Sequence, residues 1–184
     1  MTARSIPDTE WPNLFVVGAA RAGTTSLWRY LDRHPEIWMA QVKEPNFFSQ
    51  VRRPLNPDVH DEASYLRLFA PGGGCKVRGE ASVSYFWAED VPARIKRVNP
   101  EARILISLRD PVERTYSGYW YLVRIGEENR PFSQVLQDAL EEPRRPRLLR
   151  SSFYADAVSA YLETFRGPST FSFWRSSLGI PGVR

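Results

Sequence analysis

Two short stretches carry residue types and spacings suited to binding anions. The first is Gly18-Ala19-Ala20-Arg21-Ala22-Gly23-Thr24-Thr25-Ser26, a glycine-spaced turn followed by three hydroxyl residues. Such a turn, if it opens a helix, points backbone N–H groups and the positive end of the helix dipole at one place, which makes a phosphate cradle. Its spacing equals that of the nucleoside-triphosphate loop G-x-x-x-x-G-K-[ST], but Thr24 stands where that loop has lysine. A triphosphate enzyme needs that lysine on the β- and γ-phosphates and the next hydroxyl on magnesium. Here the cation comes earlier, at Arg21. A tight strand-to-helix turn with a Thr/Ser cap is the alternative reading of the loop alone.

The second stretch is Arg109-Asp110-Pro111-Val112-Glu113-Arg114-Thr115-Tyr116-Ser117. Arg109 falls at the end of an apolar run, where ligands bind in open α/β sheets. Ser117 lies two helical turns further on. An arginine fork with a hydroxyl suits a monophosphate. The alternatives are a surface ion pair for Arg109 and a helix-surface hydroxyl for Ser117.

The elements that must position these residues can be read from period and punctuation. Leu14 to Gly18 is a continuous apolar run, as expected of a buried parallel strand. A helix is expected from Thr24, ending before His34-Pro35 because proline disfavours helix at the preceding residue. Ile37 to Met39 suggests a short strand, Pro45 to Pro57 a loop, and Glu62 to Phe69 a short helix closed by Pro71-Gly72-Gly73-Gly74. Lys76 to Glu80 suggests a strand end, Val91 to Val98 a helix, and Ile104 to Leu108 the clearest strand. Asp110 can cap the next helix, Pro111 suits its first position, and Glu113 would complete a capping box. That helix is expected to run to about Arg124. Further helices are expected over Phe132 to Leu140 and Tyr154 to Phe165, the second with Tyr154, Val158, Tyr161 and Phe165 on one face. Glu141 to Arg150 reads as an exposed charged connection. Alternating strands and helices predict an α/β fold with a mostly parallel central sheet.

Composition narrows the function classes. The chain has 184 residues, 42% hydrophobic and 25% charged, which is one domain's worth of globular protein. No apolar run approaches the roughly 20 residues of a membrane-spanning helix, and the first residues lack an apolar signal segment. The single cysteine, Cys75, offers no disulfide or zinc cluster, and no metal site is expected. A cytoplasmic setting without membrane insertion fits these features. The net charge of +4 comes mostly from arginine, the only lysines being Lys43, Lys76 and Lys96. A codon-composition bias toward arginine explains that excess without any function; it also fits an anionic ligand and is weak evidence for a nucleic-acid surface. Arg144, Arg145, Arg147 and Arg150 read as a solvated run rather than a glycan patch. Trp28, Trp87, Trp120 and Tyr121 read as core or cleft-wall aromatics, His34 as a helix C-terminal residue, and His60 and Cys75 as bystanders.

With both stretches in view, the chain resembles the sulfotransferases that use 3′-phosphoadenosine 5′-phosphosulfate (PAPS), in their glycan-type and bacterial branch. The first loop is similar to that family's [RK]-x-G-T-T-S loop for the 5′-phosphosulfate. The second is similar to its R-[DN]-P-x-x-R-x-x-S segment for the 3′-phosphate. Lys43-Glu44-Pro45-Asn46-Phe47-Phe48 resembles the family's K-E-x-x-F-F stretch, and Gly79-Glu80-Ala81-Ser82-Val83-Ser84-Tyr85 its G-E-x-[ST]-P-x-Y loop, with Val83 in place of proline.

The resemblance implies a P-loop-like three-layer fold and a role for each matching residue. Arg21 would stabilise charge on the leaving phosphate, with Ala22, Gly23, Thr24, Thr25 and Ser26 around the 5′-phosphosulfate. Arg109 and Ser117 would hold the 3′-phosphate. Glu44 would be the general base on the acceptor, a hydroxyl or amine of a glycan or other small molecule. For Glu44, an ion pair with Lys43 or an arginine remains the alternative. A P-loop kinase or nucleotide hydrolase, and a remnant that only binds nucleotide, are the competing functions.

The resemblance covers roughly residues 13–125, and weakly the helix at 154–165. Residues 1–12 read as a polar arm, 13–166 as the sulfotransferase-like domain and 167–184 as an atypical tail without a strong strand run. The expectation is a sheet incomplete at its C-terminal side, from truncation or a frame change after about Phe165.

Overall fold

A computed structural model of the chain describes residues 11–49, 59, 61–141, 147–166 and 171–175. Most of the expected arm and tail, His60, Arg144, Arg145 and the loop at 50–57 lie outside the described residues.

The strands are β1 (Leu14–Gly18), β2 (Ile37–Met39), β3 (Val77–Ala81), β4 (Arg103–Leu108) and β5 (Phe171–Arg175). They form a sheet in the order β2-β3-β1-β4-β5, and every pairing is parallel. The helices are α1 (Thr24–Leu31), α2 (Glu62–Arg67), α3 (Val91–Val98), α4 (Pro111–Arg124), α5 (Phe132–Glu141), α6 (Arg147–Arg150) and α7 (Ala155–Thr164). Short 3₁₀ turns lie at Ala70–Gly72 and Val83–Trp87.

β1 is buried along its whole length, because side chains alternate between two covered faces. Phe15 and Val17 pack with Ile104 and Ile106 against Tyr65, Ile95, Tyr161 and Phe165, from α2, α3, α7 and the residue after it. Leu14 and Val16 pack on the other side against Leu27 of α1 and Met39 of β2. This is a three-layer α/β/α sandwich, as the resemblance implied. A satellite cluster of Tyr119, Val135 and Leu148 ties α4 to α5 and α6.

The strand order reverses at β1. After β1 the chain crosses toward β2 and β3, whereas β4 lies on β1's other side. Ligands in open α/β sheets sit at such a reversal, beyond the carboxyl ends of the strands. Both anion-suited stretches follow these two neighbours, one after β1 and one after β4.

Three expectations are corrected. Phe171–Arg175 is a strand, in register with Ile104–Leu108. A strand at the end of the order needs backbone pairing on only one side and tolerates Ser and Arg, so it lacks a long apolar run. The expected connection at 141–150 contains helix α6, whose Leu148 is buried. The capping box forms only in part: the Asp110 carboxylate accepts from the amides of Val112 and Glu113, while the Glu113 carboxylate turns to Arg109.

Candidate functional site

The first loop connects β1 to α1. Gly23 caps α1 in the left-handed conformation at φ 81°, without a side-chain hydrogen bond, and the first turn holds no acidic residue. By contrast, aspartate side chains cap α2 and α4. The early amides of α1 therefore lack the oxygen that would otherwise satisfy them. Ala22 and Thr24 are buried, so they offer backbone more than side chain, while Thr25 and Ser26 are exposed. Gly18 admits the close approach of Phe86: a Cβ there would lie 2.6 Å from the Phe86 Cβ.

Arg21 also has positive φ, at 67°, a strained conformation that the surroundings must hold. They do so from β4 and α4. The Ala19 amide donates to Ser107 O at 2.7 Å, and Ser107 Oγ donates to Ala22 O at 2.5 Å. Arg114 Nε donates to Ala20 O at 3.2 Å, and its Nη1 to Leu148 O at 2.7 Å. The second motif's middle arginine is thus a buried strut that joins the first loop to α6.

The two stretches meet. Arg21 Nε donates to Ser117 Oγ at 3.3 Å. The Arg21 guanidinium lies over the Tyr121 ring at 5.0 Å, and that of Arg124 over the same ring at 5.4 Å. Ser117, Tyr121 and Arg124 are spaced by four and three residues, which puts them on one face of α4. Burial, then the positive charges of Arg124 and Arg109, lower the Arg21 pKa, with Tyr121 acting the other way. Guanidinium groups held this close favour a shared anion between them. Arg109, whose side chain is 9% exposed, pairs with Glu113 Oε2 at 3.1 Å. Its carbonyl accepts from Tyr154 OH at 3.1 Å. The ion-pair alternative for Arg109 is therefore present alongside its strand-end position.

Glu44 lies at the same end of the sheet. Its amide donates to Ala81 O, at the end of β3, at 2.9 Å. Lys43 Nζ lies 3.0 Å from Glu44 Oε1, the expected alternative pairing. Glu44 and Asn46 both adopt left-handed backbone, at φ 62° and 55°. Beneath them the fully buried Glu80 carboxyl accepts three hydroxyl hydrogen bonds: Tyr65 at 2.5 Å, Ser82 at 2.6 Å and Tyr85 at 2.8 Å. Burial raises its pKa to about 7 against the pull of those bonds.

A scan against models of known protein families matched none. A crystal structure of a sulfotransferase from Alicyclobacillus acidocaldarius superposes with a TM-score of 0.76 at 37% identity, covering 90% of this chain and 73% of that one. The chain belongs to the sulfotransferase family. Among curated proteins, this sulfotransferase is 27% identical over 171 residues to carbohydrate sulfotransferase 15 of Rattus norvegicus, covering 71% of this chain and 30% of the relative. It is 31% identical over 113 residues to bifunctional heparan sulfate N-deacetylase/N-sulfotransferase 4 of Mus musculus, covering 60% of this chain and 13% of the relative. The chain thus spans less than a third of these curated relatives.

Sequence reading assigned no role to Arg114, Arg124 or Glu80, and took Tyr121 only as a core or cleft-wall aromatic, whereas its ring carries the guanidiniums of Arg21 and Arg124. The helical spacing from Ser117 could have pointed to Tyr121 and Arg124. Trp120, read as a core or cleft-wall residue, is 52% exposed on α4.

Proposed function

We propose that the chain moves the sulfuryl group of PAPS to a hydroxyl or amine of a glycan or other small-molecule acceptor. The observation that carries this reading is the contact of Arg21 with Ser117. It joins a phosphate-cradle loop and a monophosphate segment into one cationic cleft, as a donor with a 5′-phosphosulfate and a 3′-phosphate requires. The residues present fit such a donor: an uncapped helix start without acidic residues, two guanidiniums flanking Tyr121, and Arg109 beyond β4. The donor supplies an activated sulfuryl group and leaves as a bisphosphate.

The chain's own residues then have distinct tasks. Arg21 stabilises charge on the departing phosphate oxygen. It does so as a fixed cation and not as a proton donor, because a guanidinium stays charged near neutral pH. The amides of Gly23 through Ser26, with the hydroxyls of Thr25 and Ser26, orient the 5′ group. Arg109 and Ser117 bind the 3′-phosphate and so separate this donor from ATP. Glu44 accepts the acceptor's proton. The names of the relatives favour a glycan acceptor.

Calorimetric titration tests the donor assignment. Adenosine 3′,5′-bisphosphate without magnesium should bind more tightly than ATP with magnesium, and Arg109→Ala should weaken the bisphosphate at least tenfold. Equal affinities, or no loss in the variant, would overturn the assignment. Transfer of labelled sulfate from PAPS to a panel of glycan and amine acceptors then tests the reaction itself.

A further inference from the structure

Glu80 costs the fold more than a neutral residue would. A carboxyl with no exposed surface loses its hydration, and here its partners are three hydroxyls rather than a cation. Two of those hydroxyls lead to a single segment. Ser82 Oγ donates to Glu80 and accepts the Asn46 amide at 3.1 Å. Tyr85 OH donates to Glu80 and accepts the Phe48 amide at 3.2 Å. A hydroxyl has one proton. Donated to Glu80, it leaves the oxygen's lone pairs for the amide, which can only donate, so the carboxyl holds both hydroxyls in the orientation the amides need.

The segment so held is the one with the left-handed residues Glu44 and Asn46. It is further locked by Asn46 Nδ2 on Glu44 O at 2.8 Å and by Ser84 Oγ on Asn46 Oδ1 at 2.6 Å. Non-glycine residues keep such backbone only where neighbours over-determine it. We propose that Glu80 is the positioning residue of the Glu44 segment, fixing the Asn46 and Phe48 amides through Ser82 and Tyr85 and so holding Glu44 in its strained, working conformation. The consequence for turnover rests on reading Glu44 as the general base. The consequence for the segment's order does not.

The test compares Glu80→Gln, Tyr85→Phe, Ser82→Ala and Glu44→Gln in the full chain. Glutamine keeps the shape of Glu80 but offers one acceptor oxygen and one donor NH2, so one hydroxyl loses the acceptor that orients it. Glu80→Gln should lower kcat for sulfate transfer about tenfold to a hundredfold, the scale of a small misplacement of a reacting group. Its affinity for adenosine 3′,5′-bisphosphate should stay within twofold. Amide hydrogen exchange should accelerate at least tenfold at Asn46 or Phe48, while strand β3 keeps its protection. Tyr85→Phe should loosen Phe48 and leave Asn46 protected. Ser82→Ala should do the reverse. Those two variants decide the matter if Glu80→Gln does not fold. Glu44→Gln should abolish transfer without changing exchange at either amide. Wild-type exchange at both amides in the Ser82 and Tyr85 variants, or an unchanged kcat in a folded Glu80→Gln, would overturn the proposal. A wild-type chain that transfers no sulfate would instead refute the general-base reading, and the exchange data would still judge Glu80.

Discussion

In the proposed function Arg21 meets an anion, and its side chain is already held in place for one. Its backbone is strained, its Nε is directed by Ser117, and its plane is laid on Tyr121. The ring does more than fill space, since it keeps the Arg21 and Arg124 guanidiniums together against their repulsion. A cation–π contact at a partly exposed site is worth about 0.5–1 kcal/mol. Tyr121→Leu is therefore expected to weaken adenosine 3′,5′-bisphosphate about twofold to fivefold by calorimetry. An unchanged dissociation constant would mean that the arginines hold their places without the ring.

At the scale of elements, the loop from β1 to α1 depends on one glycine more than on its hydroxyls. Gly23 sits at φ 81°, where any other L-residue carries a steric penalty of about 1–2 kcal/mol. Gly23→Ala should lower the melting temperature by a few degrees, and bisphosphate should raise the variant's melting temperature by less than it raises the wild type's. An unchanged melting curve would show that the turn relaxes without cost. Much of this scale was legible in the sequence. The β1 run, the Thr24 start of α1, the Asp110-Pro111 start of α4 and the Val91–Val98 helix each had a local physical signal, and each formed. The site's two half-motifs were legible for the same reason. What was not legible depended on partners distant in sequence. The Arg114 strut needs Ala20 and Leu148, the Glu80 network needs α2 and the Glu44 segment, and β5 needs β4 as its template. No local pattern encodes those meetings.

For the molecule as a whole, Glu80 sets a pH dependence of stability. Its folded pKa of about 7 lies above the ordinary 4.5 because burial outweighs the bonds from Ser82, Tyr65 and Tyr85. The groups packed around it, Tyr65, Tyr85 and Tyr161, are themselves pushed well above 10 by burial and stay neutral near pH 7. Between about pH 4.5 and 7 the folded chain therefore binds more protons at this site than the unfolded chain does. Its contribution is complete below that window and is lost as pH rises through it. The loss amounts to at most about 3 kcal/mol. Urea midpoints should show that the gap between wild type and Glu80→Gln changes from pH 5 to pH 8 in the direction of a wild type weakened at the higher pH. A gap that does not move with pH would place the Glu80 pKa near its unfolded value.

The contact between Arg21 and Ser117 spans 96 residues, and this bears on how the chain acquires its site. Neither the loop of Arg21 nor the helix of Ser117 can by itself bring the other near. The loop after β1 is completed only when β4 docks beside it and Ser107 reaches Ala22. Closing so long a stretch costs entropy before the contact returns anything. Local helices can form early, but the proposed affinity for the donor must wait for the β1–β4 pairing. The proposed nucleotide binding is thus a property of the assembled topology, and a nascent chain that has β1 and α1 but not yet α4 carries the loop without its partner segment.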